Sequence, residues 1–190
     1  MNTIARRAAA SLLFSLLAVA ACGDDGGTPP PGGLEVTEAI STCGGFLHDG
    51  ASPKGPPSPD PATYCDAERL FWRYEGPTKT LSLLDARVVL NCCGDHAIEV
   101  AREGETLVLT EVDEPEGGTT RCKCVCVYDY AADISPIEPG ILAVRIVRRV
   151  TEQMPPSATV WEGSLDLSMG EGQVILEDKP IEGICSAPAP

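Results

Sequence analysis

Catalytic signatures are missing from this 190-residue chain. It contains no Gly-x-Ser-x-Gly elbow, no His-Glu-x-x-His helix, no Gly-x-x-x-x-Gly-Lys-Ser/Thr loop and no Cys-x-x-Cys-His site. Those absences remove the obvious hydrolase, zincin, nucleotide-binding and haem readings, and the expectation is a protein that is not an enzyme and needs no cofactor. Basic residues are scarce: 14 Lys and Arg stand against 28 Asp and Glu, a net charge of −14. A surface this acidic is repelled by phosphate backbones, which argues against nucleic acid as a partner. Long apolar runs are absent too. The uncharged run Ala8–Ala21 is 14 residues, short of the roughly twenty that cross a bilayer. Histidine occurs only twice, so no spare imidazoles are on offer to a metal. No long stretch shows the 3.6-residue period of an amphipathic helix.

What is present begins with an address. Arg6 and Arg7 precede the short apolar run, the layout of a secretory signal. The run ends in Val19-Ala20-Ala21-Cys22, which resembles the lipobox of bacterial lipoproteins. The resemblance implies removal of residues 1–21 and acylation of Cys22; an ordinary signal peptide followed by a free cysteine is the plain alternative. Removing that segment takes away two arginines and no acid, which deepens the net charge from −14 to −16. Residues 22–33 then read as the lipidated cysteine and a Gly/Pro tether. Gly23, rather than an aspartate, follows the cysteine, which by the same resemblance points to an outer membrane. Residues 34–190 form the expected single domain.

That domain reads as strands. Leu34, Val36 and Ile40 alternate with polar neighbours; Leu81 and Leu83, then Val88 and Leu90, mark a longer segment. Leu107 and Leu109 follow, then Leu142, Val144 and Ile146 opposite Arg145 and Arg149. Segments around Trp161 and Val174 complete the series. Turn residues at regular spacing make this an all-β, antiparallel β-sandwich of seven to nine strands, immunoglobulin-like rather than a barrel. Residues 61–72 offer one weak helical turn after Pro61. Trp72 and Trp161 read as packing residues. Acidic pairs such as Glu111/Asp113 are no more than such an acidic chain supplies, and Asp129 reads as a turn cap or, alternatively, a calcium ligand.

The rhythm breaks at residues 43–65, with five prolines and four glycines between two cysteines. A Cys43–Cys65 bridge would close a loop of about 23 residues and stabilise by about 3.4 kcal/mol. A stapled loop of this length reads as a functional element or as a decorated surface loop. Without Cys22, eight cysteines remain: Cys43, Cys65, Cys92, Cys93, Cys122, Cys124, Cys126 and Cys185. An even number in an exported chain reads as a disulfide framework. Cys122, Cys124 and Cys126 would share one face of a strand, with Tyr128 and Tyr130. Cys92 and Cys93 can both reach that row only if the chain turns at Gly94. At least one bridge is expected between this pair and the row. The rival reading is an envelope metal site for zinc or copper built from Cys92, Cys93, His96, Cys122, Cys124 and Cys126. Thiol–disulfide redox chemistry comes third.

The segments "NCCGDHAIEV", "LTEVDEP", "RCKCVCVYDYAADI" and "PGILAVRIV" resemble a group of uncharacterised bacterial lipoproteins with the pattern Asn-Cys-Cys, then Cys-x-Cys-x-Cys-x-aromatic-Asp. The resemblance covers roughly residues 80–170. It implies an exported β-domain and carries over no site residues. The expectation is therefore a lipid-anchored, extracytoplasmic domain of the cell envelope with a structural or binding role. Its partners would be the membrane through its anchor, and an envelope protein or small ligand.

Overall fold

The computed structural model describes residues 33–45, 47, 66–118 and 121–180. Cys22, the tether up to residue 32, most of the 43–65 loop and Cys185 lie outside them. The described residues form nine strands and no α-helix: β1 Glu35–Ile40, β2 Glu68–Glu75, β3 Thr80–Asn91, β4 Gly94–Glu103, β5 Thr106–Pro115, β6 Val125–Ser135, β7 Ile141–Val150, β8 Ser157–Asp166 and β9 Glu171–Glu177. They make a five-stranded sheet in the order β1-β6-β3-β2-β9 and a four-stranded sheet in the order β4-β5-β7-β8. Every pairing is antiparallel except β5 with β7, which run parallel. The second sheet is therefore mixed, where the turn rhythm predicted antiparallel strands throughout.

Alternation explains most of these strands. Leu142, Val144 and Ile146 of β7 point inward and are buried, as their spacing predicts. They pack with Leu107 and Leu109 of β5 against Leu70, Trp72, Leu81 and Leu83 of the first sheet, in one apolar core shared by both sheets. The weak helical turn is not continued into β2. Leu70 and Trp72 face the core while Arg69 and Arg73 pair outward with Gln173 and Glu171, a period of two that only a strand satisfies.

The parity of β3 changes midway. Leu81, Leu83 and Asp85 face inward, and then so do Val88 and Leu90. The ladder accommodates this with a β-bulge: Asp85 pairs with Tyr130 and Val88 with Tyr128, three residues advancing against two. Arg87 in the bulge takes φ 71°, a left-handed conformation that a non-glycine residue holds only when its surroundings fix it. Here they do. Arg87 is fully buried, and its backbone N–H and Nε both donate to Asp129 Oδ1, at 3.1 and 3.2 Å.

The core also contains charge. Glu68 and Asp85 from the first sheet and Glu111 from the second meet the guanidinium of Arg148 on β7. Arg148 Nη2 lies 2.9 Å from Glu68, 2.7 Å from Glu111 and 3.6 Å from Asp85. Three carboxyls share one cation. Burial raises the pKa of Asp85 well above the usual carboxylate range, and the charges of Glu111 and Glu68 add to the shift. Burial also raises Glu68, against the pull of Arg148. Glu111 and Asp113, which composition alone would pass over, are both buried behind arginine partners.

Candidate functional site

The chain that leaves β3 turns at Cys92 and Cys93 and crosses to the second sheet as β4. The turn falls on the cysteines themselves, one step earlier than Gly94. It aims both sulfurs at the segment before β6. Cys92 is bonded to Cys124 and Cys93 to Cys122, with Cα–Cα distances of 5.6 and 5.7 Å. The expected link between the vicinal pair and the cysteine row is thus present, twice over. The row itself is not a strand: β6 begins at Val125, so only Cys126 has a place on the ladder.

Asn91 explains why Cys122 and Cys124 lie outside the ladder. Its side-chain amide donates to the carbonyls of Cys122 and Cys124, at 2.8 and 3.1 Å, and its Oδ1 accepts from the Cys93 N–H at 2.9 Å. One side chain thereby holds three of the four cysteine backbones. Arg121, just before the row, is fixed by Asp113 of β5 through its Nη1 and through the Asp113 carbonyl. Asp113 also accepts from the Asn91 N–H at 3.3 Å. Asn91 stands in the "NCC" pattern, but its bracing role had no signal in the sequence apart from that adjacency. Beside the cluster lies an open depression of about 280 Å³, lined by Asn91, Asp113, Arg121, Val125, Val150 and Glu152. Its cation is already committed, since Arg121 contacts Asp113 and Glu152.

Gly94 has to remain glycine for reasons of space. A Cβ there would run into Asp113 Oδ1 and approach the His96 ring to 2.9 Å. Gly94→Ala is expected to cost about 1–3 kcal/mol by overpacking. A shift in the urea midpoint checks this, and an unchanged midpoint refutes it.

The sulfur atoms of Cys92, Cys93, Cys122 and Cys124 all lie within 4.8 Å of one another. Two of the residues expected to join a metal set are elsewhere. Cys126 is bonded to Cys43. His96 uses both ring nitrogens: Nε2 bonds the Asn91 carbonyl at 3.2 Å and Nδ1 the Tyr130 hydroxyl at 2.9 Å. Its ring also packs on Tyr128, at 4.2 Å between centroids. Burial lowers the His96 pKa, with Asp113 opposing the shift, so the neutral ring is favoured as a structural hydrogen-bonding group.

The Cys43–Cys126 bridge replaces the expected Cys43–Cys65 staple. The reason lies in the path of the chain. After β1 ends opposite Tyr130, the backbone continues along β6, with Ser41 N–H donating to the Asp129 carbonyl and Gly44 N–H to that of Val127, each at 3.0 Å. Cys43 arrives beside Cys126, Cα–Cα 5.4 Å, before the loop begins. Asp129 is neither an exposed turn cap nor a calcium ligand. It is fully buried, paired with Arg87, and accepts the Leu47 N–H at 3.0 Å. Arg87 in turn donates through Nη2 to the Gly45 carbonyl. Residues 41–45 and 47 belong to a strap locked to β6 by a disulfide and a buried ion pair.

Comparison with known proteins gives no family model, no curated protein and no solved structure that matches this chain. Among the described residues no helix is long and apolar enough to cross a membrane.

Proposed function

We propose that the chain is a lipid-anchored, extracytoplasmic β-domain of the bacterial envelope with a binding or structural role. The observation that carries this reading is the disulfide framework. Six cysteines are joined in three bridges, and bonds of this kind persist in oxidising compartments. The two sheets around one core are the layers of a sandwich; its immunoglobulin-like character rests on strand rhythm, and the parallel β5–β7 pair is a departure from it. The loop 43–65, read as a functional element or a decorated surface loop, is the candidate binding element of this reading, and apart from residues 43–45 and 47 it lies outside the described residues. Kinship with the uncharacterised lipoprotein group rests on the cysteine spacing.

Two outcomes test the reading. Cys22→Ser should move the protein from the membrane fraction to the soluble one, or leave it unprocessed; a variant that fractionates and migrates like its parent refutes the anchor. Cysteine parity supplies the second. Glu68 of β2 pairs with Glu177 of β9, so Cys65 and Cys185 stand three and eight residues beyond one paired position. Peptide mapping without reduction is expected to recover them linked to each other. Free thiols at both would break the framework argument.

A further inference from the structure

We infer that Cys92, Cys93, Cys122 and Cys124 form a second kind of site once their two disulfides are reduced: a closed tetrathiolate cage for one zinc ion. The geometry already approximates it. In a tetrahedral site with Zn–S bonds of about 2.3 Å, sulfur atoms lie about 3.8 Å apart. The two non-bonded separations seen from Cys92, to Cys122 and to Cys93, are 3.7 and 4.0 Å. These are edges of such a tetrahedron before any metal enters. The two bonded edges, Cys92–Cys124 and Cys93–Cys122, must open to match them.

The backbone holds the cage independently of the S–S bonds. Asn91 grips the carbonyls of Cys122 and Cys124 and the N–H of Cys93, and the Cys92 N–H bonds the Cys124 carbonyl at 3.4 Å. Reduction breaks none of these contacts. They are the outer bracing that metal sites use to orient their ligands. Among the described residues other clusters do not compete. Glu68, Asp85 and Glu111 already surround the Arg148 guanidinium, and His96 has no free ring nitrogen. Cys124 is exposed while its three companions are half-buried, so an external thiol or phosphine has one open sulfur to attack.

The chemistry balances in two steps. Two equivalents of an external dithiol reduce the two bridges, giving four cysteine thiols and two molecules of oxidised dithiol. One Zn²⁺ then displaces four protons to give the four-thiolate complex. The cluster would thus have two exclusive occupants, a disulfide pair in an oxidising compartment and zinc in a reducing one. Zinc release would follow the reverse exchange, in which two equivalents of an external disulfide take up the four electrons and four protons, become two dithiols, and leave the two protein disulfides and free Zn²⁺.

The test uses the full chain in detergent. It is reduced under anaerobic conditions with a phosphine, which is converted to its oxide, desalted, and titrated with Co²⁺ as a spectroscopic stand-in for zinc. The expected result is one cobalt per chain with the visible bands of a tetrahedral thiolate site, displaced by one equivalent of zinc. Four cysteines should then resist alkylation, and the far-ultraviolet dichroism should keep its strand signal. Cys124→Ser should lose the 1:1 endpoint, whereas Cys126→Ser should keep it. The inference is overturned by the absence of stoichiometric binding, by an octahedral spectrum, or by binding only in a chain that has lost its strand signal. It is overturned equally if Cys126→Ser and Cys124→Ser behave alike, since that would show an unselective collection of thiols.

Discussion

Arg148→Met is expected to destabilise the domain by about 3–5 kcal/mol, the usual effect of removing one partner from a buried ion cluster. For a domain of this size that is a fall in Tm of roughly 6–20 °C. The argument rests on what the substitution leaves behind. Glu68, Asp85 and Glu111 are all buried, and Arg148 is the cation that contacts all three. Methionine fills a similar volume, so the loss measures uncompensated charge rather than a cavity. A Tm within about 2 °C of the parent would show that the three carboxyls do not need their arginine.

The sign of the pH dependence follows from the same cluster. Asp85 and Glu68 have folded pKa values above their ordinary 3.8 and 4.5. The native state therefore keeps protons that the unfolded chain releases in that interval. Their contribution to stability is complete below the ordinary carboxyl range and is lost as the pH rises through the folded values. Exposed Glu99, held low mainly by its hydrogen bonds from Arg149, acts in the opposite sense and loses its contribution on acidification. Asp85→Asn is expected to flatten the decline in stability between pH 5 and pH 8, and Arg148→Met to steepen it. Denaturant midpoints at the two pH values measure both; parallel curves for all three proteins would remove the cluster from the explanation.

Cys43→Ser combined with Cys126→Ser is expected to cost about 4 kcal/mol. The bridge spans 83 residues, and the Cys92–Cys124 bond shortens the effective loop to roughly fifty, for which the chain-entropy model gives that figure. The strap would remain held by its hydrogen bonds to Asp129, to the Val127 carbonyl and from Arg87, so protease cleavage near residues 41–45 should accelerate while the rest of the domain stays protected. A loss below about 1 kcal/mol would mean that the buried Arg87–Asp129 pair already fixes the strap without help.

The strand spacing was readable from the apolar positions on β7 and β5, whereas the parity change between Leu83 and Val88 was passed over as one longer segment and is the bulge at Arg87. Link partners were harder. Cys43 looks locally closest to Cys65, but backbone pairing along β6 delivers it to Cys126, and no local count of loop length contains that information. Arg148 was visible in principle: it continues the inward series Leu142, Val144, Ile146, where a charge has to meet an opposite charge. Reading only Arg145 and Arg149 as the polar face of β7 passed over it. The four sulfurs converge because the turn sits on Cys92–Cys93 and Asn91 pulls the opposing segment off its ladder. Both depend on contacts between residues some thirty apart.

The parallel alignment of β5 and β7 also dictates an order of assembly. The strand between them, β6, belongs to the opposite sheet, where it lies between β1 and β3. Two parallel neighbours cannot be joined by a tight hairpin, and here the crossover is itself a central strand. The β4–β5 hairpin can form early, but its free edge must wait until β6 has been laid down across the core and β7 has returned. A chain delivered N-terminus first therefore holds an open, acceptor-ready strand until residues beyond 150 have emerged. Its folding rate is governed by that long-range closure rather than by local hairpins.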